Sequence, residues 1–161
     1  MEKRLTDKSI IEIISGHNGT SLFNEKGVAI EYEFLAKNIK KIGKQLSSID
    51  TKNKKICALV LPNGIDMAIS FLALANYVTV SPLNPSYTRE EFLFFLEDLD
   101  CDFIIADDKA SNALIEAAKL LKIKLLYIES YSPESELLIK SLPTSSISLP
   151  HQNKTDDICL I

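Results

Sequence analysis

The sequence predicts an α/β domain: a mostly parallel sheet covered by helices, preceded by a short helix and a β-hairpin. Three observations carry this. Apolar runs of strand length recur at 55–61, 78–81, 101–106 and 124–128, separated by segments with helical spacing. Strands alternating with helices indicate a parallel sheet. The run 55–61 shows no polar alternation, the pattern of a strand covered on both faces. Finally, the helical segments open near Ser, Thr or Asp, the side chains that cap helix N-termini.

The elements follow in order. Thr6 or Asp7 is placed to cap a short amphipathic helix carrying Ile10, Ile11, Ile13 and Ile14, and Gly16 can end it. Ser21-Leu-Phe, the turn Asn24-Glu-Lys-Gly27 and Val28-Ala-Ile-Glu-Tyr32 read as a hairpin. From 33 to 46, Phe34, Leu35, Ile39, Ile42 and Leu46 recur at helical spacing, with Lys37, Lys40, Lys41 and Lys44 on a solvated face. After the strand 55–61, Pro62-Asn-Gly64 turns into a helix over 65–75, followed by a short strand at 78–81. Ser86 or Thr88 caps the next helix, and Thr88 with Glu91 has capping-box spacing. After the strand 101–106, Asp107 or Asp108 is placed to cap a helix over 109–121, leading to the strand 124–128.

The pattern then changes. Residues 130–157, with Pro133, Pro143 and Pro150, read as irregular connection, with one or two helical turns at 137–142. Residues 158–161 read as the start of another strand. A compact domain rarely stops inside an apolar strand, so a fragment is expected. The expected organisation is one partial subdomain over 1–161: helix and lead-in at 1–20, hairpin and βα units at 21–129, connection at 130–157 and a nascent strand at 158–161.

Composition excludes several classes. At 161 residues and 46% hydrophobic residues there is material for one core. A net charge of −4 argues against an electrostatic nucleic-acid partner. The most hydrophobic window, 65–81, carries Asp66 and Asn76 and is bracketed by Pro62 and Pro82, short of the ~20 apolar residues a membrane span needs. No apolar secretory segment follows Met1-Glu-Lys-Arg4, so a cytoplasmic protein is expected, with a C-terminal targeting signal left open. Cys57, Cys101 and Cys159 have no paired spacing and read as reduced, buried thiols.

Chemistry is sparse. The five glycines form no Gly-x-Gly or P-loop arrangement, so no phosphate cradle is expected within the chain. His17 and His151 read as surface residues without a catalytic partner. Asp107-Asp108, at a strand's carboxyl end, has a magnesium-binding reading and a helix-capping one, and capping is preferred. Ser111 reads as a first-turn helix residue, and Tyr32, Tyr77 and Tyr87 as packing residues with wet hydroxyls. A flavodoxin- or receiver-like signalling domain would need an acidic residue and a lysine after other strands, a set that Ser81 and Glu129 do not supply.

Several of these segments together resemble the acyl-adenylate-forming superfamily, which includes acyl-CoA synthetases and 4-coumarate–CoA and oxalate–CoA ligases. Ile30-Glu-Tyr-Glu-Phe-Leu35 is similar to the family's Leu-Thr-Tyr-x-Glu-Leu opening, and Ala58-Leu-Val-Leu-Pro-Asn63 to its strand and turn. Most specific is the run from Phe71-Leu-Ala-Leu to Pro82-Leu-Asn-Pro-Ser-Tyr-Thr-Arg-Glu-Glu91. The resemblance covers about 21–161. Glu31 replaces the usual threonine, and Asn76-Tyr77 replaces a common Gly-Ala.

The resemblance implies an ATP- and magnesium-dependent ligase that turns a carboxylate into an acyl-AMP and passes the acyl group to coenzyme A. It also implies that the phosphate loop and later motifs follow Ile161. No catalytic, cofactor-binding or metal-binding residue is therefore expected among the 161, which alone would be inactive, and the rest of such an enzyme is the expected packing partner. The alternative is a non-catalytic interaction or regulatory module that keeps the scaffold.

Overall fold

The computed structural model describes residues 8–49, 55–130, 138–140 and 160. Helix α1 (Ile10–Ile14) leads to a two-stranded antiparallel sheet of β1 (Thr20–Phe23) and β2 (Ala29–Glu31), then α2 (Tyr32–Leu46). There follow β3 (Ile56–Val60), α3 (Ile65–Ala75), β4 (Thr79–Pro82), α4 (Arg89–Leu99), β5 (Phe103–Ala106), α5 (Asn112–Leu121) and β6 (Lys124–Glu129). The short β7 (Leu138–Ile139) completes a five-stranded sheet in the order β4-β3-β5-β6-β7. All its pairings are parallel except β6 with β7. The predicted α/β class, with its leading helix and hairpin, is what the chain forms.

The order explains the layers. The chain leaves β3 for β4 on one side, then crosses back to β5 on the other. With crossovers of one hand, that reversal puts helices on both faces. Side chains alternate accordingly: Cys57, Leu59, Phe103, Ile105 and Leu126 pack against α2 and α3, whereas Ala58, Val60, Ile104 and Ala106 meet α4 and α5. The unbroken apolar runs exist because both strand faces are buried. Flavodoxin-like domains share this winding order, which by itself assigns no function.

Local sequence set some boundaries differently from expectation. Ser9 caps α1, in a reciprocal box with Glu12 whose carboxylate accepts the Ser9 amide at 2.8 Å; Thr6 and Asp7 lie outside the described residues. Helix α5 is capped by Ser111, which accepts the Leu114 amide at 3.3 Å, and not by Asp107 or Asp108. Residues 107–110 form a turn first, closed by Ala110 N–H to Asp107 O at 3.3 Å, so helical geometry begins only at Asn112. The Thr88–Glu91 capping box forms as predicted. At 138–139 the predicted helical turn is instead strand β7. Gln45, 94 positions away, holds it: its Nε2 donates to Ile139 O at 2.9 Å and its Oε1 accepts Ile139 N–H at 3.0 Å. The other sheet edge continues through a parallel bridge from Val80 to Leu160.

Two departures from the family pattern have physical counterparts. Asn76, fully buried at the end of α3, accepts the Ile11 amide through Oδ1 at 2.9 Å and so ties α1 to the core. The Tyr77 ring lies against Gly43 of α2, where a Cβ would stand 2.6 Å from its hydroxyl oxygen. The expected wet hydroxyl is therefore absent at Tyr77: its oxygen is buried and makes no hydrogen bond with the described residues. Burial pushes the phenol up to about 12, with the Asn76 amide acting in the opposite direction. Glu31, the third departure, is the N-cap of α2 and supplies no side-chain cap. Glu31→Thr is expected to add about 0.5–1 kcal/mol, read as a rise in urea midpoint at unchanged slope.

Candidate functional site

In a doubly wound sheet, ligands bind outside the carboxyl ends of the strands, where the winding reverses. Here that point lies between β3 and β5. A cleft of about 530 Å³ opens there, lined by the loop after β3 with Asn63 and Gly64, by Asp66, Asp107 and Lys109, and by the hairpin turn with Glu25. Two features shape it. Gly64 is the N-cap of α3 at φ 150°, a backbone that side-chain-bearing residues rarely adopt, and a Cβ there would stand 2.6 Å from Glu25 Oε1. Gly64 offers no capping side chain, so Glu25 Oε1 accepts the Ile65 amide at 3.2 Å. That carboxylate meets the positive end of α3.

A second cleft, about 490 Å³, lies between the ends of β3 and β4 and is walled by Pro62, Asn63, Met67 and the corner Pro82-Leu-Asn-Pro-Ser86. Its rigidity follows from its bonds. Leu83 N–H donates to Leu59 O at 2.9 Å, carrying the pairing one residue past β4. Asn84 Oδ1 accepts the Ser86 amide at 3.0 Å, an Asx turn with Pro85 at its centre. Thr88 then starts α4, its hydroxyl and amide both donating to Glu91 Oε2, at 2.9 and 2.7 Å. Those bonds hold the Glu91 carboxyl below its ordinary range. Tyr87 stacks on Phe95 with ring centroids 4.9 Å apart.

The acidic pair does not converge. Asp107 Oδ1 accepts the Lys109 amide at 3.1 Å, whereas Asp108 lies 3.5 Å from Lys140 Nζ. Among the described residues, no group of three His, Cys, Asp or Glu side chains is arranged to hold a metal. His17 is exposed, its Nδ1 2.8 Å from Ile13 O, and His151 lies outside the described residues. Sequence reasoning missed Glu25: its partner at α3 is distant in the chain, and only Gly64, a cap without a side chain, hints at a missing acceptor.

Cys57 and Cys101 are buried free thiols, and Cys159 lies outside the described residues. Burial pushes Cys57 well above a normal thiol, and Cys101 up to about 11. The thiolate is the reactive form. In a Cys159→Ser variant at pH 8, a thiol reagent is therefore expected to label neither cysteine in the native chain and both in guanidinium.

The winding, the cleft at its reversal and the rigid corner after β4 define a doubly wound, helix-covered α/β sheet, and comparison places it in a family. Residues 14–161 match the AMP-binding enzyme family, and the chain belongs to it. It is 31% identical over 103 residues to the oxalate–CoA ligase of Arabidopsis thaliana, covering 63% of this chain and 20% of that protein. It is 33% identical over 90 residues to the probable CoA ligase CCL9 of Humulus lupulus, covering 55% of this chain and 17% of that one. The chain thus spans about a fifth of the length of these curated relatives. In fold it resembles the luciferase-like enzyme of the nonluminescent mealworm Zophobas morio, with a TM-score of 0.68 and 12% identity over 99% of this chain and 41% of that one. Among the described residues, no helix is long and apolar enough to cross a membrane.

Proposed function

We propose that these residues are the N-terminal scaffold of an ATP-dependent acyl-CoA synthetase, a partial subdomain spanning 1–161. The reaction joins a small carboxylic acid to AMP with loss of pyrophosphate, and coenzyme A then takes the acyl group. A carboxylate is a poor electrophile, and a mixed anhydride with AMP supplies the leaving group it lacks. Stabilising the charge that builds up there requires preorganised donors and a metal. The observation that carries this reading is the corner 82–86, fixed by its own hydrogen bonds at the carboxyl edge of a sheet whose family match spans residues 14–161.

In this reading the described residues contribute shape and no reacting group. Pro62, Asn63 and the corner fix the floor of the edge, and the acidic side chains there serve turns, caps and an ion pair. ATP, magnesium and coenzyme A are held by sequence outside this stretch, and the protein works in the cytoplasm. The test is a polypeptide carrying these residues together with further sequence to the length of the curated relatives. It is expected to release pyrophosphate from ATP only when a carboxylic acid is added, and to consume coenzyme A in proportion. Acid-independent ATP hydrolysis, or no turnover with any aliphatic, aromatic or dicarboxylic acid, would sink the proposal.

A further inference from the structure

Helices α4 and α5 carry an apolar seam on the face they turn to solvent. Phe94 is 64% exposed and Leu120 61% exposed. Both helices link parallel strands of one sheet, so they run side by side in the same sense. Arg89 Nη1, 3.9 Å from Glu116 Oε2, marks their register. One turn further along, on the same two flanks, come Leu93 and Leu120. Leu93 is half-buried and is followed by the exposed Phe94. Scattered apolar side chains on a surface need no explanation, but a run of them shared by two packed helices marks a contact.

Charge is divided across this face. The α4 half carries Glu90, Glu97 and Asp98, all exposed and within about one turn of Phe94. The α5 half carries Lys119 and Lys122 around Leu120. Arg89 is committed to Glu90, at 2.8 Å, and to Glu116. No ion pair among the described residues takes up Glu97, Asp98, Lys119 or Lys122. The surface is thus acidic on one side of the seam and basic on the other, an arrangement complementary to itself. A twofold axis along the groove between the helices lays α4 of one copy over α5 of the other. It sets carboxylates over ammonium groups twice and closes the apolar seam against its own copy. Helices of 11 and 10 residues present a face only about 16 Å long. That is short of the roughly 800 Å² per partner of a standard interface, so the contact is a weak one.

We propose that this face joins two copies of the chain in a weak twofold dimer, with Phe94 and Leu120 at its centre. The proposal stands apart from the synthetase reading, because association is read without turnover. The test is sedimentation equilibrium of the purified chain at low salt, from about 10 µM to about 1 mM. The weight-average mass is expected to rise from 18.0 kDa towards twice that value, with a Kd of about 100 µM. The double variant Phe94→Gln/Leu120→Gln, exposed positions given a good helix former, is expected to weaken association at least about tenfold at an unchanged thermal melt. The charge variants Lys119→Glu/Lys122→Glu and Glu90→Lys/Glu97→Lys are each expected to stay monomeric alone and to associate when mixed in equal amounts. Only the mixture lays opposite charges over each other on both sides of the seam. The inference is overturned if the unmodified chain stays at 18.0 kDa throughout, or if the mixed charge variants stay monomeric. It is equally overturned if the glutamine double variant associates as the unmodified chain does, which would assign the contact to a sheet edge or another surface. None of those results bears on pyrophosphate release, so failure here and failure of the proposed function are separable.

Discussion

Gly43→Ala is expected to destabilise the chain by about 2–3 kcal/mol, although alanine is the better helix former. In open helix the change would add roughly 0.5–1 kcal/mol. At this position the new methyl would stand 2.6 Å from Tyr77 Cε2 and Oη, in a buried ring. Overpacking therefore outweighs propensity. The diagnostic is a reversal of sign: in a Tyr77→Ala background the clash is gone, and Gly43→Ala is expected to stabilise. A double-mutant cycle by urea denaturation reads the coupling directly. Additive effects would show that the ring does not occupy the space above Gly43.

Gln45→Leu is the second large effect, with an expected loss of about 3 kcal/mol. Gln45 is fully buried, and its amide gives Ile139 both a donor and an acceptor, acting as a further strand beside β7. Leucine matches its shape but leaves a buried N–H and C=O without partners, at about 1–3 kcal/mol each. The damage should be local as well as global. The Lys140 amide, which donates to Tyr127 O at 2.8 Å, is expected to lose hydrogen-exchange protection along with β7. With β7 released, β6 becomes an open edge, and concentration-dependent association should rise. A variant that melts lower but keeps the Lys140 amide protected would contradict the account of how β7 is held.

These two positions also show where the sequence stops being readable. Strands β3 and β5 were legible because burial on both faces leaves apolar runs at 55–61 and 101–106, and shorter apolar runs at 78–81 and 124–128 marked β4 and β6. The Thr88–Glu91 cap was legible because both partners sit within one helical turn. Strand β7 was not, since its two residues take their geometry from Gln45 and from β6 rather than from their own pattern. Ser111 was passed over because Asp107 and Asp108 are equally good caps placed earlier, and only the 107–110 turn decides between them. The burial of the Tyr77 hydroxyl depended on a glycine in another helix. At the candidate site, the sequence placed Asp107 at the carboxyl end of a strand, whereas the strand order that brings it beside the loop after β3 and the Glu25 contact with α3 depended on how the elements assemble.

The central claim is that this stretch shapes the carboxyl edge of an adenylate-forming enzyme without supplying the groups that react. The most direct measurement is carboxylate-dependent exchange of labelled pyrophosphate into ATP by a folded polypeptide of these 161 residues alone, with magnesium and a broad set of acids. No exchange above the enzyme-free blank is predicted. Exchange that depends on both acid and magnesium, and that co-purifies with the chain, would contradict the account by placing the adenylation chemistry among these residues.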